Sequence, residues 1–207
     1  KDKDLIKVIT GIRRCGKSTL MDQFKDELIS SGVSEEQIIF LNFEALENEW
    51  LLDYKELYNY LSDKLCKDKF TYIFLDEIQK VEYFEKVVDS LYIKPLVDIY
   101  ITGSNAYMLS GELATYLSGR YIEIKMLPLS FKEYCELFDG EDKVKLFSEY
   151  MNYGGLPYSA MLHKGGISLD NTYIEGIYNT VFVKDIEERQ KRKEPDSTKR
   201  KITDIPL

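Results

Sequence analysis

Several residue types that carry chemistry in other proteins are scarce in this chain of 207 residues. The only histidine is His163, so histidine catalysis and histidine-rich metal sites are largely excluded. The three cysteines, Cys15, Cys66 and Cys135, lie far apart, fit no zinc spacing and suit a reducing compartment. No apolar run approaches the roughly 20 residues that span a bilayer, and the opening KDKDLIK is too charged for a secretory signal. We therefore expect a cytoplasmic protein.

Positive charge is also in deficit, because 28 Lys and Arg stand against 36 Asp and Glu, for a net charge of -8. Nucleic-acid phosphates need clustered cations, so a broadly basic binding surface is excluded and any basic patch must be local. The apolar content of 44% is that of a globular protein. The length is sufficient for one substantial core and a small appended domain.

Short apolar runs alternate with amphipathic segments along the first part of the chain. Buried strands are predicted at Leu5 to Thr10, Gln37 to Phe43, Thr71 to Leu75, Val97 to Thr102 and Tyr121 to Lys125. Helices are predicted between them at Lys17 to Ser30, Asp53 to Cys66 and Phe84 to Tyr92. The alternation predicts an α/β fold, with a parallel five-stranded sheet that has helices on both faces.

The strand pattern stops near Met126 to Pro128, and helical patterns follow. Ser130 and Glu133 have the spacing of a capping box that opens a helix through Phe138. Further helical patterns, at Lys143 to Tyr150 and Asn171 to Arg189, are separated by the turn-forming segment YGGLPYS. We predict a core of residues 1–127 and a smaller helical part of residues 128–207.

The segment GIRRCGKST, Gly11 to Thr19, matches the P-loop pattern G-x-x-x-x-G-K-[ST] at every fixed position. It lies between a predicted strand and a predicted helix, which is the context that the pattern requires. Glycines let backbone N–H groups surround phosphate oxygens at the positive end of the helix. Lys17 would neutralise charge on the β- and γ-phosphates, and Ser18 would bind Mg²⁺.

The segment YIFLDEIQ adds two carboxylates at the end of another predicted buried strand. Asp76 is predicted to hold the water shell of the metal, and Glu77 to polarise an attacking water. The alternative is an acidic strand end that faces solvent. Its pairing with the P-loop favours the functional interpretation.

Two further residues are candidates for contact with the γ-phosphate. Asn105, or Ser104 beside it, follows the strand that would lie between the other two, although an ordinary Gly-Ser-Asn turn explains this segment equally well. Arg120 precedes the fifth strand and has the planar fork that suits a developing phosphoryl charge, but a surface or salt-bridge arginine is the alternative.

The residues inside the P-loop have alternatives of their own. Arg13 and Arg14 are candidates for the same charge-stabilising role as Arg120, or for structural pairs with acidic neighbours. Cys15 lies beside the helix N-terminus and Lys17, which predicts a lowered thiol pKa, with alkylation then blocking nucleotide binding. The alternative for Cys15 is a small side chain that faces the sheet.

Five segments occur together and in order: VITGIRRCGKSTL, IFLDEIQ, ITGSNAYMLSGELATYLSGR, PLSFKEY and YGGLP. With them the chain resembles the predicted AAA-type ATPases of bacteria and archaea that carry a C-terminal domain of unknown function. The resemblance covers Leu5 to about Ile186 and implies an AAA+-like core followed by a helical lid. It also implies that further C-terminal parts are missing or only begun here.

The resemblance assigns residues to roles. It implies nucleotide binding by Gly11, Ile12, Arg13, Arg14, Cys15, Gly16, Lys17, Ser18 and Thr19. It implies metal binding and water activation at Asp76 and Glu77, a sensor at Asn105 and an arginine finger at Arg120. No stretch between Ser148 and Asp185 resembles the sensor arginine of the lid.

These observations favour an enzyme, a Mg²⁺-dependent ATPase that hydrolyses ATP to ADP and phosphate. The first alternative is a nucleotide-gated binding module with little turnover that presents its C-terminal region to DNA or a protein partner. Seven Lys or Arg between Arg189 and Lys201 favour it, although a solvated helix end explains them too. A small-molecule kinase is the third interpretation, but adjacent Asp76 and Glu77 suit water better than a hydroxyl acceptor. An arginine finger that acts between subunits would require a homo-oligomer.

Overall fold

The computed structural model of the chain describes residues 5–103, 117, 119–138, 142–167, 175–176 and 179. Its strands are β1 Ile6–Gly11, β2 Ile38–Asn42, β3 Thr71–Asp76, β4 Val97–Thr102 and β5 Tyr121–Met126. Its helices are α1 Lys17–Ser30, α2 Tyr54–Asp63, α3 Phe84–Tyr92, α4 Phe131–Leu137, α5 Lys143–Tyr153 and α6 Pro157–Lys164. Short 3₁₀ segments lie at Glu35–Gln37, Leu46–Leu52 and Ile78–Lys80.

The five strands form one parallel sheet in the order β2-β3-β4-β1-β5. The helices α1, α2 and α3 lie between successive strands from β1 to β4, as parallel pairing requires. The predicted α/β fold with a parallel five-stranded sheet is therefore confirmed. The order also places β4 between β1 and β3, which is the arrangement that the sequence predicted for these strands.

Helices cover both faces of the sheet. Successive side chains of a strand point to opposite faces, so each face has its own set of apolar side chains for a helix to cover. On one face, Phe24 of α1 packs against Phe74 of β3 and Tyr100 of β4, with ring centroids 6.1 and 5.1 Å away. On the other face, α2 and α3 bury apolar side chains against the strand residues that alternate with Phe74 and Tyr100. The central strands β1 and β3 are buried along their whole length, which explains their continuous apolar runs.

The prediction of a buried strand is wrong for β5. Ile122 is 50% exposed and Ile124 37%, and β5 lies at the end of the strand order, next to β1. All four residues from Ile122 to Lys125 are exposed, so the alternation of apolar and charged residues in this run does not mark a covered face. The strand itself was predicted correctly, and only its burial was not.

The helices that follow β5 have a hydrophobic core of their own. Tyr134 of α4, Leu146 of α5 and Ala160 of α6 are its buried members, together with Phe138. The predicted capping box is present, because Ser130 Oγ accepts from the N–H of Glu133 and Glu133 Oε2 accepts from the N–H of Ser130. The Ser130 hydroxyl also donates to Glu133 Oε2 at 2.7 Å, and this bond together with the bond from the Ser130 N–H lowers the pKa of the Glu133 carboxyl.

By contact density the chain divides into two compact units, Lys1–Ser168 and Leu169–Leu207. The first unit contains the sheet and every helix named above. The division predicted at residue 127 falls inside this unit and stays a prediction.

Candidate functional site

The predicted nucleotide-binding elements meet at the carboxyl edge of the sheet. There β1 ends at Gly11, β3 at Asp76 and β4 at Thr102. Since β4 pairs with both β1 and β3, Thr102 lies between the P-loop and the acidic pair. The carboxyl edge of parallel strands is where ligands bind in open α/β sheets.

The P-loop needs glycine at both ends for different physical reasons. At Gly11, with φ 156°, a Cβ would lie 2.6 Å from the backbone oxygen of Met126 and 2.7 Å from Cys15 Sγ. At Gly16, φ is 100°, a left-handed conformation that side chains disfavour, and α1 begins directly after it. Another residue at either position would therefore clash or be strained, and the loop could not keep this backbone conformation.

Lys17 lies in the first turn of α1 and is only 5% exposed. Its Nζ donates to the backbone oxygens of Gly11 at 3.1 Å and Ile12 at 3.2 Å. Among the described residues, no side chain caps the amino end of α1 and no acidic residue lies in its first turn. An ammonium group and a positive helix end therefore lie side by side, an arrangement that favours an anion.

The remaining loop residues differ in exposure. Cys15 is 2% exposed, and burial raises the pKa of its thiol despite the opposing effects of Lys17 and its backbone hydrogen bonds. The expected lowering of that pKa is therefore wrong, and the small buried side chain is the better description. Arg13 and Ser18 are half-buried, whereas Ile12, Arg14 and Thr19 are exposed.

Asp76 is fully buried at the end of β3. Its Oδ1 accepts a hydrogen bond from the Thr102 hydroxyl, whereas its Oδ2 is buried and has no hydrogen-bond partner within the described part of the chain. A buried carboxylate oxygen without a donor is costly unless a ligand supplies the missing partner. The site therefore fits a cation or a cation-bound water beside Asp76.

Glu77 follows Asp76 in an unusual backbone conformation, with φ 54° and ψ 42°. Its N–H donates to Thr102 Oγ1 at 3.0 Å, and its Oε2 accepts from Gln79 Nε2 at 2.6 Å. The left-handed region is sparsely populated by residues other than glycine, and such conformations cluster at functional sites. Thr102 thus holds both members of the acidic pair through one hydroxyl group.

Sequence reasoning missed Thr102 and Gln79. Thr102 resembles any β-branched strand residue, and only its place on the middle strand identifies it. Gln79 is the last residue of the segment YIFLDEIQ, but its hydrogen bond to the Glu77 side chain depends on the 3₁₀ turn Ile78–Lys80, which the sequence did not predict. Asn105 and Ser104, the candidates named instead, lie outside the described residues.

Arg120 lies at the opposite, amino edge of the sheet. Its backbone oxygen accepts from the N–H of Ile6, the first residue of β1, at 2.9 Å. Since β1 has six residues from Ile6 to Gly11, about 16 Å of strand separates this position from the P-loop. The Arg120 guanidinium pairs with Asp89 and lies over the Tyr92 ring at 5.6 Å. The structure does not bring Arg120 to the phosphate-binding residues of its own chain.

The segment YGGLP lies near the P-loop, at the carboxyl edge of the sheet. A Cβ on Gly16 would lie 3.8 Å from both Met126 Cε and Pro157 Cγ, so the first residue of α6 contacts the P-loop. The turn before it is held by the N–H of Leu129, which donates to the oxygen of Gly155 at 2.6 Å. The helical part therefore approaches the P-loop with the apolar ring of Pro157.

No helix in the described ranges combines the length and apolar character needed to span a membrane. Those ranges also contain no cluster of three or more His, Cys, Asp or Glu suited to a metal ion.

Comparison with known proteins identifies relatives of similar sequence. An uncharacterized protein of Haemophilus influenzae is 44% identical over 194 residues, which are 91% of this chain and 48% of that protein. An uncharacterized protein of Methanocaldococcus jannaschii is 32% identical over 202 residues, 89% of this chain and 42% of that one. The chain thus spans about half the length of the curated relatives it matches.

Solved structures show a more distant likeness. Caenorhabditis elegans PCH-2 has a TM-score of 0.49 at 15% identity, over 83% of this chain and 43% of that one. Saccharomyces cerevisiae RIF2 has a TM-score of 0.47 at 14% identity, over 86% and 82% of the two chains.

A family model described as AAA domain matches residues 3–135, more than half of the chain. This match confirms the resemblance to AAA-type proteins that the P-loop and the acidic strand end carry. The chain belongs to the AAA domain family and is a P-loop protein of the nucleotide-binding, ATPase-like type.

Proposed function

We propose that the chain binds ATP with Mg²⁺ at the carboxyl edge of its sheet and hydrolyses it to ADP and phosphate. One observation carries this proposal: Asp76 Oδ2, which is buried and has no donor among the described residues, lies at the same sheet edge as the P-loop. A phosphate cradle alone also serves proteins that only bind nucleotides. Hydrolysis requires two further groups, a carboxylate that holds the cation and a carboxylate that activates water, and adjacent Asp76 and Glu77 would supply them.

Each residue has a role in this proposal. The backbone N–H groups of residues 11–19 bind the phosphates, and the Lys17 ammonium leaves the loop carbonyls to pair with the β- and γ-phosphates. Asp76, through water, and Ser18 would hold Mg²⁺. When bound, Mg²⁺ supplies charge neutralisation to the phosphate oxygens.

Glu77 accepts a proton from the water that attacks the γ-phosphorus. The new bond forms between the water oxygen and phosphorus, while the bond from phosphorus to the bridging oxygen of ADP breaks. Thr102 keeps Glu77 and Asp76 in fixed relation, because its hydroxyl is bonded to both. Asn105 remains a proposed sensor on the segment that follows β4.

Removal of the metal tests this proposal directly. Phosphate release from saturating ATP is expected to fall at least about tenfold when EDTA exceeds Mg²⁺, and to return when Mg²⁺ is restored, because the charge of bound phosphates is then uncompensated. Phosphate release that is insensitive to EDTA would contradict the metal-dependent mechanism. Tight ATP binding without any release would instead favour the nucleotide-gated module, with DNA or a protein partner for the C-terminal region.

We also propose that Arg120 acts on the nucleotide of a neighbouring copy in a homo-oligomer. Its place at the amino edge separates it from its own P-loop, and its side chain is 42% exposed, so a second chain has access to it. Replacement of Arg120 by alanine is expected to lower turnover about tenfold, a modest value because the guanidinium must first leave Asp89.

Mixing two impaired variants separates action between chains from a local effect. Glu77→Gln chains keep Arg120, and Arg120→Ala chains keep Glu77, so a mixture is expected to regain part of the activity that each lacks. Lys94→Ala, which removes another cation at the same edge, serves as the control and is expected to retain activity. A mixture no more active than its components would refute a role between chains.

A further inference from the structure

Gln79 and Glu77 form a side-chain pair that the proposed roles leave unexplained. Gln79 Nε2 donates to Glu77 Oε2 at 2.6 Å, a short bond of the charge-assisted kind. An ionised carboxylate has no proton to give, so the amide must face it with its NH₂ group. The orientation of the Gln79 amide is thereby fixed by chemistry as well as by geometry.

The other end of the amide is a buried acceptor. Gln79 Oε1 is inaccessible and has no hydrogen-bond partner among the described residues. Burial of an acceptor without a donor is unfavourable, so a side chain kept only for packing would be better apolar. The acceptor suits the O–H of a water molecule, which is also the nucleophile in the proposed reaction.

The local backbone brings the two side chains together although only one residue separates them. Glu77 has the left-handed conformation, and the 3₁₀ turn that follows is closed by the N–H of Lys80, which donates to the oxygen of Glu77 at 3.2 Å. Ile78, between them, is fully buried and fixes the turn in the core. The left-handed conformation of Glu77 is energetically unfavourable, and a glutamine that only faced solvent would not require it.

We infer that Gln79 is a positioning residue for the Glu77 carboxylate: its amide holds Oε2, so that the other oxygen is directed to the attacking water. The inference rests on the proposed function, because Gln79 can act in hydrolysis only if Glu77 activates the attacking water. It adds a specific residue that neither the P-loop pattern nor the acidic pair identifies. Thr102 fixes the backbone of Glu77, and Gln79 fixes its side chain.

The test uses Gln79→Met, which keeps the length of the side chain and removes both hydrogen-bonding ends. Its kcat is expected to fall about tenfold, with the KM for ATP within about twofold of wild type, because positioning acts on the reacting water and not on nucleotide binding. Lys80→Met, on the same turn but exposed, is the matched control and is expected to change neither constant.

A double-mutant cycle distinguishes positioning from an independent contribution. In the Glu77→Gln background, measured by single turnover, Gln79→Met is expected to lower the rate less than about twofold, since the carboxylate that it positions is gone. An unchanged kcat in the single variant, or an equal loss in both backgrounds, would overturn the inference. Melting temperatures of all variants show whether a loss of rate reflects unfolding.

A measurement without turnover tests the contact itself. The side-chain NH₂ resonances of Gln79 in a ¹⁵N spectrum are expected to move on Glu77→Leu and to stay in place on Lys80→Met. If wild-type protein hydrolyses no ATP, the proposed function fails, while these resonances still decide whether Gln79 holds Glu77. Resonances indifferent to Glu77→Leu would overturn the inference even in an active ATPase.

Discussion

The substitution Glu77→Gln is expected to slow ATP hydrolysis at least about 100-fold, while the affinity for ATP stays within about twofold of wild type. The amide is nearly isosteric with the carboxylate, and the backbone bond from residue 77 to Thr102 Oγ1 does not involve the side chain. What is lost is the ability to take a proton from water. Single-turnover hydrolysis and calorimetric ATP titration on the same preparations separate the two effects.

A matched control and a competing base sharpen this experiment. Glu82→Gln removes an exposed carboxylate five residues later and is expected to leave hydrolysis unchanged. Asp76 is a poor substitute for Glu77, because one of its oxygens already accepts from Thr102 and the other is the oxygen that we propose to face the cation. Hydrolysis by Glu77→Gln at the wild-type rate would remove Glu77 from the mechanism. A parallel loss of ATP affinity would show that the substitution had disturbed the P-loop instead.

Local patterns in the sequence predicted the part of the site that depends on neighbouring residues. The spacing of Gly11, Gly16 and Lys17 is a local requirement, since the loop must turn around an anion and enter a helix. Continuous apolar runs revealed β1 and β3 because both faces of these strands are covered. Those two facts suffice to place the P-loop and Asp76 at one edge of a parallel sheet.

What the sequence did not reveal depends on distant contacts. Thr102 matters through bonds to residues 25 and 26 positions away, which no local pattern encodes. The Cys15 pKa was mispredicted because desolvation depends on what packs over the thiol, whereas the charge of Lys17 is visible in the sequence. The sequence did not establish whether Arg120 lies near its own P-loop. The parallel pairing of β5 with β1 decides this, because it places Arg120 at the amino edge.

Thr102 illustrates how the fold concentrates chemistry at this edge. One hydroxyl donates to the buried Asp76 and accepts from the backbone N–H of Glu77, so a single residue of β4 contacts both residues that we propose to hold the metal and to activate water. These contacts depend on strand order alone, because Thr102 is on β4 and both partners lie at the end of β3. A movement of β4 relative to β3 would therefore displace both carboxylates together.

Removal of the ammonium group by Lys17→Ala is expected to weaken ATP binding at least about 100-fold, since a charge-assisted contact to phosphate is lost from a side chain that is only 5% exposed. The fold is expected to tolerate this change. Without nucleotide the ammonium donates to the backbone oxygens of Gly11 and Ile12, and its removal also relieves the desolvation cost of a buried charge. Calorimetric ATP titration and urea unfolding measure the two quantities.

The control for Lys17 lies on the same helix. Lys25→Ala removes a half-exposed ammonium that pairs with Asp22 at 3.0 Å two turns further along α1, and it is expected to leave ATP affinity unchanged. Equal losses in both variants would point to the general charge of the helix rather than to a specific phosphate contact. Full ATP affinity in Lys17→Ala would mean that the loop backbone binds the phosphates unaided, and the burial of Lys17 would then need a structural explanation.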